Sequence, residues 1–167
     1  MDISNYKAYI SSETMMGPNS IRILAELLDK YPLQFVPDDT ILDLGCGTGL
    51  TSLVIAKETK AKVIANDLWI SAEDNGKRFA KWGVKDQVTP MCEDANYLHF
   101  EKKQFRALIS IDSYHYFAGY KGFFQEKILP FIKDNGTVLI GIPGLKDEYT
   151  GRAKELLSDW LGDDAYM

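Results

Sequence analysis

The sequence is poor in cysteine and in clustered basic residues, and it has no long apolar run. Its 167 residues contain two cysteines, Cys46 and Cys92, which are too few for a disulfide framework. No segment approaches the roughly 18 continuous apolar residues of a membrane-spanning helix. The first residues, MDISNYKAYISSE, lack the basic and apolar regions of a signal peptide. We therefore expect a cytoplasmic protein with free thiols, no metal site and no membrane partner.

Charge and composition narrow the function classes further. The 19 basic and 24 acidic residues give a formal net charge of −5, and the absence of a Lys/Arg cluster disfavours an extended nucleic-acid surface. A small neutral or cationic partner is easier to reconcile with this balance. An apolar fraction of 46% excludes a disordered chain, and the length suits a single domain with a real core.

Near-continuous aliphatic stretches alternate along the chain with amphipathic segments. The stretches predict five strands, at about 40–44, 61–67, 87–94, 106–112 and 136–144. The segments between them predict a first helix that runs to Tyr31, with Asn19 or Ser20 as its N-cap, and further helices at about 49–59, 71–82 and 120–132. The last of these would bend or end at Pro130. This alternation is typical of an α/β protein whose parallel sheet is covered on both faces.

The same pattern divides the single domain into three parts. We expect residues 1–37 to form an N-terminal helical or lid segment, residues 38–145 to form the core, and residues 146–167 to be mostly helical. Pro90 predicts that the third strand lies at an edge of the sheet, because proline cannot donate to a neighbouring strand. The Asn135-Gly136 pair predicts a turn before the fifth strand.

A glycine-rich turn follows the first strand, in the sequence ILDLGCGTGL at 41–50. Gly45, Gly47 and Gly49 allow left-handed dihedral angles and a close approach of the backbone to a ligand. The spacing differs from the G-x-G-x-x-G of dinucleotide-binding folds. Asp43 would repel a pyrophosphate, whereas a ligand that carries an ammonium and a sulfonium would suit it.

This arrangement resembles motif I of the class I S-adenosylmethionine-dependent methyltransferases. The segments DLGCGTGLTS, NDLW and SIDSYHYF are similar to those of a bacterial group of small-molecule methyltransferases. The resemblance covers residues from about 16 to 145. It implies a Rossmann-like, doubly wound parallel sheet, S-adenosylmethionine as cofactor and a small-molecule methyl acceptor.

The resemblance also implies roles for individual residues. Asp67 would bind the ribose hydroxyls, Leu68 and Trp69 would pack against the adenine, and Asp94 with Ala95 would bind the adenine amino group. The donor pocket would also include Ser110, Ile111 and Asp112. The complete predicted cofactor site is Asp43, Gly45, Cys46, Gly47, Gly49, Asp67, Leu68, Trp69, Asp94, Ala95, Ser110, Ile111 and Asp112.

Several of these residues have structural readings as well. Asp67 and Asp94 could cap the segments that follow them, and Trp69 could belong to the core. His115, the one candidate for a catalytic base, could be a packing residue. Tyr6, Tyr9 and Met16 could form a lid over the cofactor or an ordinary packed segment.

Complete relatives carry two further strands after the fifth, as an antiparallel pair. We therefore expect this chain to lack that pair, to expose the edge of strand five and to self-associate through it. Two alternative functions stay open: a non-catalytic S-adenosylmethionine-binding domain and a nicotinamide-dependent oxidoreductase. An arsenic methyltransferase is disfavoured, because that chemistry uses several thiols.

Overall fold

The computed structural model describes residues 1–32 and 34–144, together with Arg152 and Glu155. The α-helices are α1 (Ser20–Lys30), α2 (Leu50–Glu58) and α3 (Ala72–Lys81). The strands are β1 (Thr40–Leu44), β2 (Lys62–Asn66), β3 (Val88–Met91), β4 (Phe105–Ile111) and β5 (Ile132–Gly141). All five predicted strands are therefore present. Most of the predicted C-terminal helix, 146–167, lies outside the described residues.

The five strands form one parallel sheet in the order β3-β2-β1-β4-β5. β1 is central, and the chain leaves it first toward β2 and later toward β4. Such a reversal brings the loops at the carboxyl ends of these strands together at one crevice. Pro90 lies in β3 at the edge of the sheet, which confirms the prediction made from its missing N–H.

Both faces of the sheet are covered, as the aliphatic strands predict. Ile41 packs on one face with residues of α1 and α2, including Leu24 and Leu53. The next residue, Leu42, points to the other face and packs with Phe105 and Phe123. Alternate side chains of a strand point in opposite directions, so the single run of apolar residues in β1 supplies two cores. The doubly wound Rossmann-like class is confirmed.

The predicted helix at 120–132 is only partly correct. The chain instead makes a π-helical turn at Phe124–Ile128 and a 3-10 turn at Leu129–Phe131. Pro130 has no N–H and its ring would clash with the carbonyl four residues earlier, so a regular α-helix cannot continue through it. Phe123 and Ile128 are nevertheless buried in the second core, because burial rather than helix propensity holds this segment.

Strand β5 also begins earlier than predicted. Ile132 already pairs with Phe105, and the next pair in register is Thr137 with Ala107. The extra residues bulge outward, and Asn135 adopts a left-handed φ of 59°. The Asn135-Gly136 turn predicted before the strand is therefore an irregularity inside it.

The N-terminal segment is anchored on the first core. The Asn19 side chain accepts a hydrogen bond from the backbone N–H of Arg22, at 3.1 Å, so Asn19 is the N-cap of α1. Tyr6 is buried and its hydroxyl donates to Glu58, while Tyr9 packs edge-on against Trp82. Both tyrosines are packing residues. Among the described residues, no helix is long and apolar enough to cross a membrane.

Candidate functional site

The glycine loop is built by two positions that no other residue could fill without strain. Gly45 has a φ of 74° and Gly49 a φ of 87°, both in the left-handed region that favours glycine. A Cβ on Gly45 would lie 2.4 Å from the Ser113 side chain, and one on Gly49 would lie 2.4 Å from the Phe79 ring. The loop is therefore pressed against its neighbours on both sides.

Asp43 lies beneath this loop and is fully buried. One carboxylate oxygen accepts hydrogen bonds from the hydroxyls of Thr51 and Ser52, at 2.6 and 2.5 Å. Its other oxygen is buried without a hydrogen-bond partner. Burial raises the pKa of Asp43 to about 6, and the charge of Asp67 adds to the rise, while the two hydroxyls oppose it.

Asp67 follows β2, and its carboxylate bonds to the glycine loop and to the turn after β2. One carboxylate oxygen accepts the N–H of Gly47 at 2.8 Å. The other accepts the N–H groups of Trp69 and Ile70, at 2.8 and 3.0 Å. Asp67 therefore does cap the turn after β2, and it also fixes the glycine loop to the end of that strand.

The neighbouring ends of β2 and β3 are joined by Asn66. Its side-chain amide donates to the carbonyl of Glu93 and its oxygen accepts the N–H of Glu93, both at 2.9 Å. Asp94 then accepts from the backbone and side chain of Asn96, and these bonds lower its pKa. The paired bonds of Asn66 hold the loop after β3 beside the loop after β2.

At the end of β4 the chain turns sharply. The buried Ser110 hydroxyl donates to the carbonyl of Leu44, at 2.8 Å. Asp112 has a left-handed φ of 56°, and its N–H donates to the carbonyl of Gly141. Ser113 also bonds to Leu44. The loops after β1 and β4 are thus held together directly below the cleft.

These loops enclose a cleft of about 350 Å³. Most of the predicted cofactor residues line it: Gly45, Cys46, Gly47, Asp67, Leu68, Trp69, Asp94, Ala95, Ile111 and Asp112. The cleft contains four carboxylates, from Asp67, Glu93, Asp94 and Asp112, and its wall has no Lys, Arg or His among the described residues.

Four predicted site residues do not line the cleft. Asp43 and Ser110 are buried below it, and Gly49 acts through the backbone at the start of α2. The side chains of Asp43 and Ser110 do not reach a ligand in the cleft, because both are fully buried. Gly49 has no side chain that could do so. His115 is exposed, and its ring packs on Tyr116 at a centroid distance of 4.1 Å.

The sequence interpretation also missed part of the cleft wall. Thr14, Gly17, Pro18 and Ser20 belong to it, and the carbonyl of Thr14 accepts a hydrogen bond from the Thr48 hydroxyl of the glycine loop. Nothing in the composition of this segment indicates a ligand. Met16, named as a possible lid residue, does line the cleft, with its sulfur beside Gly47.

Tyr116 is a further wall residue that the sequence left unassigned. Its ring meets Trp69 at a centroid distance of 5.4 Å, although the two residues follow strands on opposite sides of β1. Both rings are largely exposed, at 64% and 67%. They form an aromatic pair at the rim of the cleft.

Comparison with known proteins places this geometry in a family. The family described as "Methyltransferase domain" matches residues 41–136, from β1 into β5. No curated protein matches significantly. Three solved structures illustrate the likeness at the level of the fold.

Phosphoethanolamine N-methyltransferase 2 of Haemonchus contortus, crystallised with S-adenosylmethionine, superposes with a TM-score of 0.72 at 21% identity, over 98% of this chain and 40% of its own. The protein YjhP of E. coli gives 0.71 at 21%, over 89% and 59%. Geranyl diphosphate C-methyltransferase of Streptomyces coelicolor A3(2), crystallised with Mg²⁺, geranyl diphosphate and S-adenosylhomocysteine, gives 0.64 at 22%, over 71% and 44%.

This chain thus spans less than two thirds of the length of each of these proteins. Sequence identities near 20% support a shared fold and nothing more. The family match is independent of them and covers more than half of the chain, including the whole glycine loop. With its strand order and its loop, the chain belongs to the methyltransferase domain family and has the Rossmann-like fold of the class I methyltransferases.

Proposed function

We propose that the cleft binds S-adenosylmethionine and that the protein transfers its methyl group to a small molecule. The observation that carries this proposal is the charge of the cleft wall, which has four carboxylates and, within the described residues, no cationic side chain. A pyrophosphate would face like charges there, whereas an ammonium and a sulfonium would be attracted. The ligands of two of the fold neighbours, S-adenosylmethionine and S-adenosylhomocysteine, support the same choice.

The wall residues divide naturally along an extended ligand. In this proposal the glycine loop at Gly45 and Gly47, together with Ile111 of β4, holds the methionine part. Asp67 binds the ribose, while Leu68, Asp94 and Ala95 surround the adenine. Trp69, which the sequence also assigned to the adenine, packs against Tyr116 at the rim of the cleft. When bound, the cofactor supplies a methyl group activated by the sulfonium; the chain supplies orientation and excludes water.

Asp67 needs its hydrogen-bonding capacity for two purposes. A carboxylate offers about four acceptor sites, and three are taken by the N–H groups of Gly47, Trp69 and Ile70. Binding two ribose hydroxyls therefore requires sharing or opening one of these bonds. The longest of them, to Ile70 at 3.0 Å, is the one we expect to yield.

The test is calorimetry with S-adenosylmethionine, S-adenosylhomocysteine and NAD⁺. We expect the two S-adenosyl compounds to bind and NAD⁺ not to bind. Asp67→Asn should weaken S-adenosylmethionine binding by at least about tenfold, because hydrogen bonds to a charged group contribute roughly 1.5–3 kcal/mol. Asp86→Asn, at an exposed acid before β3, is the matched control. Unchanged affinity in Asp67→Asn would refute the ribose assignment.

Two alternatives have distinct signatures in the same experiments. Binding of NAD⁺ in place of S-adenosyl compounds would favour an oxidoreductase. Binding of S-adenosylmethionine without transfer of its labelled methyl group over a broad acceptor panel would favour a non-catalytic domain. A general base is required only if the acceptor must lose a proton at the moment of attack. His115 remains a prediction for that role, and its exposed position outside the cleft wall gives it no support.

A further inference from the structure

Asp112 differs from the other carboxylates of the cleft in its surroundings. Asp67 and Asp94 accept backbone hydrogen bonds, whereas the Asp112 carboxylate accepts none from the described residues. Its backbone is held in the left-handed region, at a φ of 56°. A non-glycine residue persists in such a conformation where its surroundings impose it, often at a functional site.

The carboxylate lies beside the N-terminal segment. A Cβ on Gly17 would stand 2.8 Å from Oδ2 of Asp112, so the missing side chain at Gly17 makes room for this oxygen. Asp112 follows β4, whereas the proposed ribose and adenine contacts follow β2 and β3. It therefore lies at the end of the cleft opposite the adenine, where the methyl group would be presented.

The aromatic pair at the rim adds a second, independent observation. Trp69 and Tyr116 both line the same cleft and expose most of their rings to solvent. The faces of such rings attract cations at distances up to about 6 Å. Within the described residues no basic side chain lines the cleft that could attract an anionic acceptor. Exposed rings and an unpartnered carboxylate together favour a cation.

We propose that Asp112 binds the methyl acceptor and that the acceptor carries an amino group. This inference rests on the proposed function. The Asp112 carboxylate accepts an N–H of the amine in a charge-assisted hydrogen bond. A carboxylate or phosphate on the acceptor at this place would meet like charge, and a neutral hydroxyl would gain less.

The chemistry balances without a further reactant. An amine that arrives as an ammonium first loses a proton to water. Its nitrogen then forms the new N–C bond with its lone pair, while the electron pair of the broken C–S bond stays on sulfur. The nitrogen gains positive charge as it reacts, and a carboxylate beside it stabilises that charge more in the transition state than in the ground state.

The test measures equilibrium binding with the full chain saturated with S-adenosylhomocysteine. The probes are ammonium, alcohol and carboxylate forms of three scaffolds: ethyl, 2-phenylethyl and 2-(indol-3-yl)ethyl. We expect the ammonium form to bind most tightly on at least one scaffold. Asp112→Asn should weaken that binding about 10- to 100-fold and leave the alcohol form within about twofold.

Two further variants test the role of the Asp112 carboxylate independently and provide a control. Asp112→Gly removes the carboxylate at a backbone position that suits glycine, so it should fold and show the same loss. Asp38→Asn, at an exposed acid before β1, is the control and should bind as the native chain does.

The outcomes separate the two proposals. No binding of S-adenosylhomocysteine would overturn the proposed function itself. Binding of S-adenosylhomocysteine combined with no ammonium preference on any scaffold, or with unchanged ammonium binding in both Asp112 variants, would overturn only the amine inference.

Discussion

Asp43, the acid of the glycine motif, supports the glycine loop from beneath the cleft. Its carboxylate is completely buried, with Thr51 and Ser52 on one oxygen and no partner on the other. Both hydroxyls come from the first turn of α2, so Asp43 joins the end of β1 to the start of that helix. The acid of the motif therefore shapes the turn that the ligand would meet.

This burial predicts a pH dependence of stability. The folded pKa of about 6 lies above the model-compound value of 3.8, so the folded state keeps a proton that the unfolded chain has already released. Stability from this group is therefore present at low pH and is lost as the pH rises through about 4 to 6. The difference in pKa corresponds to about 3 kcal/mol.

Asp43→Asn lacks this titration. We expect the free energy of unfolding of the native chain, relative to that of Asp43→Asn, to fall by about 2 kcal/mol between pH 4 and pH 7, because at pH 4 the unfolded chain is already partly protonated at this residue. Urea unfolding of both proteins at each pH measures it. A constant difference across this range would show that the pKa of Asp43 is not raised.

Asp67 has one role that the structure shows and a second, ribose binding, that is proposed. The structural reading, a cap, is observed in its bonds to Trp69 and Ile70. Together with the bond from Gly47, these bonds leave about one acceptor site free, so the proposed ribose contact needs that site and one bond that yields. At the residue scale, a structural role therefore does not count against a ligand role.

At the scale of elements, the junction between β1 and α2 requires a residue without a side chain at Gly49. Gly49 precedes α2 in a left-handed conformation, and Phe79 of α3, itself fully buried, occupies the space where a Cβ would lie. The start of one helix thus packs directly on the side of another.

A pair of substitutions separates the clash from the backbone strain. Gly83, after α3, has a similar φ of 73° but nothing within 4 Å of its would-be Cβ. Gly83→Ala should cost about 1–2 kcal/mol from the left-handed conformation alone. Gly49→Ala should cost about 1–3 kcal/mol more, because the buried ring must shift. Equal losses in chemical denaturation would show that Phe79 adjusts freely.

The segment at 117–131 shows where helical spacing misleads. Its apolar residues bury Phe123 and Ile128 against β4, which is what the amphipathic pattern indicates. Pro130 and Gly122, with a φ of 104°, nevertheless prevent a regular helix. The spacing thus predicted an amphipathic segment, while the backbone path depended on local sterics.

At the scale of the whole molecule, β5 lies at the edge of the sheet within the described residues. The aliphatic sequence of this strand, with Val138, Leu139, Ile140 and Ile142, predicts apolar side chains that face solvent at an exposed edge, and the structure bears this out only in part. Leu139 is buried and Val138 packs against the second core, while Ile142 is exposed. The backbone of β5 is therefore the feature that would pair with another chain.

Self-association through this edge remains a prediction. Sedimentation velocity over a range of concentrations should show a mass that rises above the 18.9 kDa of one chain. Ile142→Lys, which places a charge at the end of the edge strand, should shift the equilibrium toward monomer. A mass of one chain at every concentration would contradict the prediction.

The sequence by itself determined the layered sheet, because aliphatic runs and glycine turns are local patterns that can be recognised without knowing which distant segments they contact. It also indicated part of the cleft wall, since motif residues at the ends of β1, β2 and β4 meet wherever a parallel sheet reverses its order. Only the tertiary structure decided that Asp43 and Ser110 lie below the cleft, and that Gly17 and Tyr116 line it. Those placements depend on contacts between segments far apart in the chain, such as Thr48 with Thr14 and Trp69 with Tyr116, which no local pattern records.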